Sequence, residues 1–203
     1  MNSITKLLAC SALCLSPALA NANLIVNGDF ENPAINSGTW TTFYGNSLPG
    51  WTAGTHGIEL RNSVAGHANT GSQYVELDTN ANSSMSQSFT TTANQSYIFS
   101  FAYSPRFDVP ASSNGIAVYW DNILIASITG NGIGNNDNVW KMFSFNEIAT
   151  SSTSSIEFAA IGTSDSYGGS LDTVSVTANV PESGPLALLT IGLIGLGFAR
   201  RRA

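Results

Sequence analysis

The sequence predicts an all-β sandwich bracketed by two short terminal segments that do not belong to it. Three observations carry that expectation. Hydrophobicity alternates with a period of two through the middle of the chain; glycine (19 residues), serine, threonine and asparagine supply most of the polarity; and charged residues make up only 10%, against roughly 25% in ordinary soluble domains. Short alternating runs separated by uncharged turn-formers read as many short strands. The 203 residues suffice for one domain with a real core.

The strands can be justified in chain order. Residues 24–30 form the first expected run, which places Asp29 and Glu31 on one face and Phe30 on the other. Residues 57–61 and 73–77 follow, and then Met85, Gln87 and Phe89 alternate with serines. Tyr97, Phe99, Phe101 and Tyr103 alternate with Ile98, Ser100 and Ala102. Runs at 116–120 and 123–128 flank Asp121-Asn122, two residue types that tolerate positive φ and therefore suit a tight hairpin turn. Residues 140–145, 155–161 and 171–177 complete a set of about ten strands. The stretches 32–50, 104–115 and 129–139 read as long loops, so Trp40 and Tyr44 are expected on a loop. Trp51, after Pro49-Gly50, is expected in the core with Phe99, Phe101, Phe143 and Phe145.

The ends carry different signals. Residues 1–22 combine one early lysine, Lys6, an apolar run at 7–15 and Ala18-Leu19-Ala20, the pattern of an export signal cut after Ala20 or Ala22. Leu7-Leu8-Ala9-Cys10 offers a lipoprotein reading of the same stretch. Cleavage after Ala20 or Ala22 removes Cys10 and Cys14 and leaves no thiol for a disulfide or metal. Residues 180–203 open with Val180-Pro181-Glu182-Ser183-Gly184-Pro185, continue uncharged from 186 to 199 and close with Arg200, Arg201 and Arg202. Fourteen helical residues span roughly 21 Å, short of a hydrocarbon core of about 30 Å. Between 21 and 182 three basic side chains face all 13 acidic ones, which argues against nucleic acid or an anionic membrane as partner.

This tail resembles the PEP-CTERM sorting signal of Gram-negative bacteria, with Pro181 and Glu182 matching the motif, Ser183 replacing its second proline and Arg200, Arg201 and Arg202 as the basic end. The resemblance implies an exported protein, processed by signal peptidase and an exosortase, transiently held in the inner membrane and delivered to the cell surface or an exopolysaccharide or biofilm matrix. The middle of the chain, residues 23–179, resembles the galactose-binding-like jelly roll. Asn27-Gly28-Asp29-Phe30-Glu31, Leu48-Pro49-Gly50-Trp51, Gly71-Ser72-Gln73-Tyr74-Val75-Glu76-Leu77 and Leu171-Asp172-Thr173-Val174 carry that likeness. It implies a carbohydrate-binding-module-like domain, with a structural calcium ion held by Glu31, Asp172, the Asp29 carbonyl and oxygens of residues 69–73.

Carbohydrate recognition needs an aromatic plate against the C–H face of a sugar and planar polar groups for its hydroxyls. Trp40, Tyr44, Glu59, Arg61, Arg106 and Trp120 are the expected sugar-facing residues. Catalytic signatures are absent: His56 and His67 lack zinc spacing, and there is no nucleophile elbow, phosphate loop or dinucleotide fingerprint. Glu76 and Asp78 lie two apart on one strand face, whereas a hydrolase pair usually comes from separate elements across a cleft of about 5–10 Å. The expectation is a non-catalytic polysaccharide-binding protein; the alternatives are a purely structural surface domain and a secreted glycoside hydrolase.

Overall fold

The computed structural model describes residues 22–179, and the expected export and sorting segments, with Pro181, Glu182, Arg200, Arg201 and Arg202, lie outside the described residues. Ten strands follow one another: β1 (Thr39–Leu48), β2 (Trp51–Asn62), β3 (Gln73–Glu76), β4 (Ser84–Thr90), β5 (Ser96–Ser104), β6 (Gly115–Trp120), β7 (Ile123–Ile128), β8 (Lys141–Ile148), β9 (Thr153–Ile161) and β10 (Ser170–Ala178). They pair in the order β7-β6-β9-β4-β2-β3-β10-β5-β8, with β1 added on β2. No described residue is helical. This is an all-β, jelly-roll-like sheet curled on itself.

Strand β2 makes the curl. Its start pairs with β4 through Thr52 and Ala53, and its end pairs with β3 from Glu59 to Asn62. Gly57, at φ +76°, lies between those two halves, where a residue with a β-carbon would be strained. The two halves of the sheet then face each other across an aromatic core. Phe158 of β9 meets Phe101 of β5 edge-on at 4.9 Å and lies 6.4 Å from Trp51. Phe143 stacks on Phe101 at 5.7 Å. The alternation read from the sequence for β4 and β5 is the inward face of these strands.

Two expectations about elements are corrected. Residues 24–30 are not a strand: 26–29 form a turn, and Asn27 and Phe30 take φ of +54° and +56°. Asn27 locks this turn by donating Nδ2 to the carbonyls of Asn32 and Pro49 and accepting the Asn32 N–H. The segment lies against β10 instead, through Leu24 N–H to the Val176 carbonyl and Val174 N–H to the Gly28 carbonyl. Only glycine fits at 28, because a β-carbon there would come 2.0 Å from the Val174 carbonyl oxygen. The second correction is β1, which occupies most of the expected loop 32–50. Its threonines and aromatics suit a strand, and the glycines and asparagine that read as loop mark its bulges between Phe43 and Leu48.

The Asp121-Asn122 turn matches its expectation, with φ of +49° and +64°. Trp51 is 2% exposed, and its Nε1–H donates to the Asn27 carbonyl at 3.0 Å. Alanine at Trp51 is expected to lower the free energy of unfolding by roughly 3–5 kcal/mol through the cavity left behind, read as a shifted midpoint in urea denaturation. A midpoint equal to that of the native chain would contradict this core assignment.

Candidate functional site

The sheet half made of β1, β2, β3, β10, β5 and β8 has a second face, turned away from the core. Alternation decides which residues reach it: while Ile58 and Leu60 point inward, Glu59 and Arg61 point outward, and on β3 Tyr74 and Glu76 do the same. The register places Trp40, Arg61 and Tyr74 side by side across three strands, and Thr42, Glu59 and Glu76 in the row beneath. Directly opposed residues on adjacent strands are in side-chain reach of one another.

Arg61 is the centre of this face. Its Nε and Nη2 donate to Glu59 Oε2 at 3.0 and 2.6 Å, and Nη2 also reaches Glu76 Oε2 at 3.2 Å. Arg61 and Glu76 are buried, at 4% and 0% exposure, although they face away from the hydrophobic core. Loops roof them over. Gly168 sits so close that a β-carbon there would come 2.5 Å from Glu76 Oε1. Tyr74 places its hydroxyl against the carbonyls of Val64 and Ala65 and its ring edge-on to Trp140 at 5.7 Å. Trp140 donates Nε1–H to the His67 carbonyl, and His67 Nδ1 lies 2.7 Å from Asp137 Oδ2, so the 63–68 and 137–140 loops are fastened together.

Charge within the cluster is set by burial. Burial first, and repulsion from Glu59 in addition, outweigh the attraction of Arg61 and push the Glu76 carboxyl up to about 8. Glu59 is therefore the main counter-ion of Arg61 below that pH, in keeping with its shorter contacts. Burial also lowers Arg106, with Arg61 adding repulsion. Arg106 lies over the Tyr167 ring, 4.5 Å from its centre, and Nη1 approaches the Ser166 carbonyl at 3.4 Å.

Of the expected sugar-facing residues, Glu59, Arg61 and Arg106 fall in one electrostatic cluster, and Trp40 stands beside it. Trp40 and Tyr44 lie on strand β1 rather than on a loop, yet they are 57% and 56% exposed. Trp120 does not belong. It is 3% exposed and packs on Phe89, Tyr97 and Phe99 with centroid distances of 5.6 to 6.2 Å; being the inward residue that ends β6, it is core. Sequence reasoning missed Tyr74 and Tyr167 and left Trp140, at a strand start, open between surface and core. For Tyr74 the signal was available in the alternation of β3, whereas nothing local distinguishes Tyr167.

The residues expected to hold calcium are only partly brought together. Asp29 is exposed in the 26–29 turn and shares no strand face with Glu31. Glu31 Oε1 accepts the N–H groups of Ser72 and Gln73, and Oε2 accepts the Ser72 hydroxyl. Asp172 Oδ2 accepts the N–H groups of Asn69 and Thr70, and Oδ1 that of Thr173. Burial pushes Asp172 up to about 6 against these bonds. The 69–73 loop thus offers hydrogens rather than oxygens to both carboxylates, and the donor set fits a calcium ion only in part. Glu76 and Asp78 are both fully buried, which leaves no open cleft between them for a glycosidic bond.

The curled, all-β jelly roll defines the fold class of this chain. The chain belongs to the family described as "Protein of unknown function (DUF642)", whose model matches residues 23–177. It is 29% identical over 157 residues, 77% of its length, to the multifunctional-autoprocessing repeats-in-toxin protein of Vibrio cholerae, and it spans only 3% of that protein. Among solved structures it is similar to TmCBM61, determined in complex with β-1,4-galactotriose: TM-score 0.51 and 16% identity, covering 78% of this chain and all of that one. It is also similar to part of the arabinose-bound α-L-arabinofuranosidase MgGH51, with a TM-score of 0.54 and 11% identity over 81% of this chain and 28% of that one. These likenesses establish the fold.

The raised Glu76 carboxyl fixes the sign of a pH effect. The folded chain holds a proton on Glu76 that the unfolded chain releases above its ordinary value of 4.5, so stability is greatest below that value and falls as pH rises toward 8, by at most about 1.4 kcal/mol per pH unit. Asp172 adds the same sign up to about pH 6. Melting temperatures measured from pH 5 to 8.5 should decline in the native chain, and Glu76→Gln should flatten the part between 6 and 8. An equal slope in the variant would show that Glu76 is already ionised in the folded state.

Proposed function

We propose that this chain is an exported, non-catalytic carbohydrate-binding domain whose ligand lies along β1 and the adjoining outer face of β2. One observation carries the reading: two large aromatic side chains, Trp40 and Tyr44, are more than half exposed on an edge strand directly beside the Glu59–Arg61 pair. Exposed aromatic surface in a folded domain marks contact sites. Here it has the composition that sugar binding requires, an apolar plate with a fixed charged hydrogen-bonding pair next to it. The galactotriose carried by TmCBM61 makes a neutral plant-type or microbial polysaccharide a sensible first ligand to try.

Trp40→Ala should lower affinity for the bound polysaccharide by about 1–3 kcal/mol through lost apolar contact, with the melting temperature unchanged. Affinity electrophoresis and a glycan array would read this. If the native chain retains no glycan at millimolar concentration, with or without calcium, the domain is a structural surface module instead. Calcium at Glu31, Asp172 and the Asp29 carbonyl is part of the same proposal; EDTA should then lower the melting temperature of the native chain, and by less that of Asp172→Ala.

The terminal segments supply the rest of the proposal: export by signal peptidase, exosortase processing at the Pro181-Glu182 tail, and a place at the cell surface or in an exopolysaccharide or biofilm matrix of a Gram-negative cell. Deleting residues 181–203 in the native host should divert the protein from its processed route, and serine at Arg200, Arg201 and Arg202 should weaken membrane retention. Fractionation and immunoblotting follow both; unchanged maturation and location in the two variants would remove the sorting role.

A further inference from the structure

A tight turn between β3 and β4 carries two buried side-chain oxygens that no hydrogen bond accounts for. Asp78 and Asn82 face each other across an isolated antiparallel bridge. The Ser83 N–H donates to the Leu77 carbonyl, which makes 78 and 82 a pair not hydrogen-bonded to each other, the arrangement in which Cα atoms approach to about 4.5 Å and side chains lie closest. Both side chains reach toward the same stretch after β9. Asp78 Oδ2 accepts the Asp165 N–H at 2.9 Å, Asn82 Nδ2 donates to the Gly162 carbonyl at 3.1 Å, and the Asn82 N–H donates to the Ser164 hydroxyl at 2.8 Å.

The remaining oxygens, Asp78 Oδ1 and Asn82 Oδ1, are buried and have no hydrogen-bond partner. The Asn82 amide cannot simply be turned round to cure this, because the Gly162 carbonyl requires the nitrogen on its side. Asp78 itself is fully buried. Among the described residues the ion pairs are Arg61 with Glu59 and Glu76, and His67 with Asp137, so no side-chain cation pairs with Asp78. A buried acceptor left without a donor is costly, and a buried carboxylate without a counter-charge more so. A water molecule would supply hydrogens to both oxygens but no charge. A hard cation supplies the charge, and it takes oxygen ligands of this type, carboxylate and amide, with hydroxyls, carbonyls and water filling its remaining positions.

We propose that Asp78 Oδ1 and Asn82 Oδ1 are ligands of a divalent hard cation of the calcium type, held between the 78–82 turn and residues 162–165. The site is separate from Glu31 and Asp172, which lie against the 69–73 loop. It pins the β9–β10 connection to the β3–β4 turn at the level of Gly168, the residue that roofs Glu76.

Calcium chloride titrated into the purified chain and followed by calorimetry tests this. Asp78→Asn, which keeps the shape and removes the charge, should weaken binding at least tenfold. Asn82→Ala, which removes the second oxygen, should weaken it likewise, and melting temperatures of both variants measured without calcium, compared with the native chain, separate a lost ligand from misfolding. Asp172→Asn should leave this binding event in place. Calcium affinity unchanged in both the Asp78 and Asn82 variants, a change opposite in sign in either, binding abolished by Asp172→Asn instead, or no binding to the native chain at 10-millimolar-scale calcium would each overturn the proposal in favour of a buried water.

Discussion

A single strand that belongs to both halves of the sheet is the constraint on which the structure rests. Because β2 pairs with β4 at its start and with β3 at its end, its inward residues change partners along its length, from Trp51 and Ala53 against the β9 side to Ile58 and Leu60 against the β5 side. The bend between them sets the separation of the two halves, and the aromatic layer of Trp51, Phe99, Phe101 and Phe158 fills it. The same bend decides what the outer face carries, since the residues alternating with Ile58 and Leu60 are Glu59 and Arg61. Core and candidate site are thus two sides of one strand.

The outer face is expensive to build. An arginine, a glutamate and an aspartate are buried there under loops, in a chain otherwise poor in charge. Such clusters contribute little to stability compared with a well-packed apolar set, and burial in this one pushes Glu76 up to about 8. The loops that close over it are themselves fastened by polar contacts, His67 to Asp137, Trp140 to His67 and Arg106 over Tyr167. A domain that needed only to fold would do better with valines in these positions. The charged row and the exposed pair on β1 therefore mark the part of the surface where chemistry, rather than packing, has governed the sequence.

How much of this was legible in the sequence depended on whether the signal was local. The strands with clean alternation, β4, β5 and β7, were readable to within a residue or two, as was the Asp121-Asn122 turn, because a period of two and a pair of turn-forming residues are written in adjacent positions. β1 was hidden by Gly38, Gly45 and Gly50, which the fold uses at bulges and strand ends. The 24–30 run reads like a strand, but Gly28 closely approaches Val174, more than a hundred residues away, and the left-handed Asn27 is held by its bonds to Asn32 and Pro49. For the site, Glu59 and Arg61 could be paired from their spacing alone. That Glu76 joins them, that Arg106 lies near them and that Trp120 turns inward are facts of tertiary register, which no window along the chain contains.

Trp40 and Tyr44 are four residues apart on β1, so at roughly 3.3 Å per residue their Cα atoms lie at most about 13 Å apart along the strand, less where the bulge after Phe43 shortens it. That distance exceeds what one hexose ring can bridge. A monosaccharide would meet one aromatic plate at a time, whereas an oligomer running along the edge would meet both, with the second contact made at a high effective concentration once the first is in place. If sugar binds along β1 as proposed, the strand would favour the interior of a polymer over its ends.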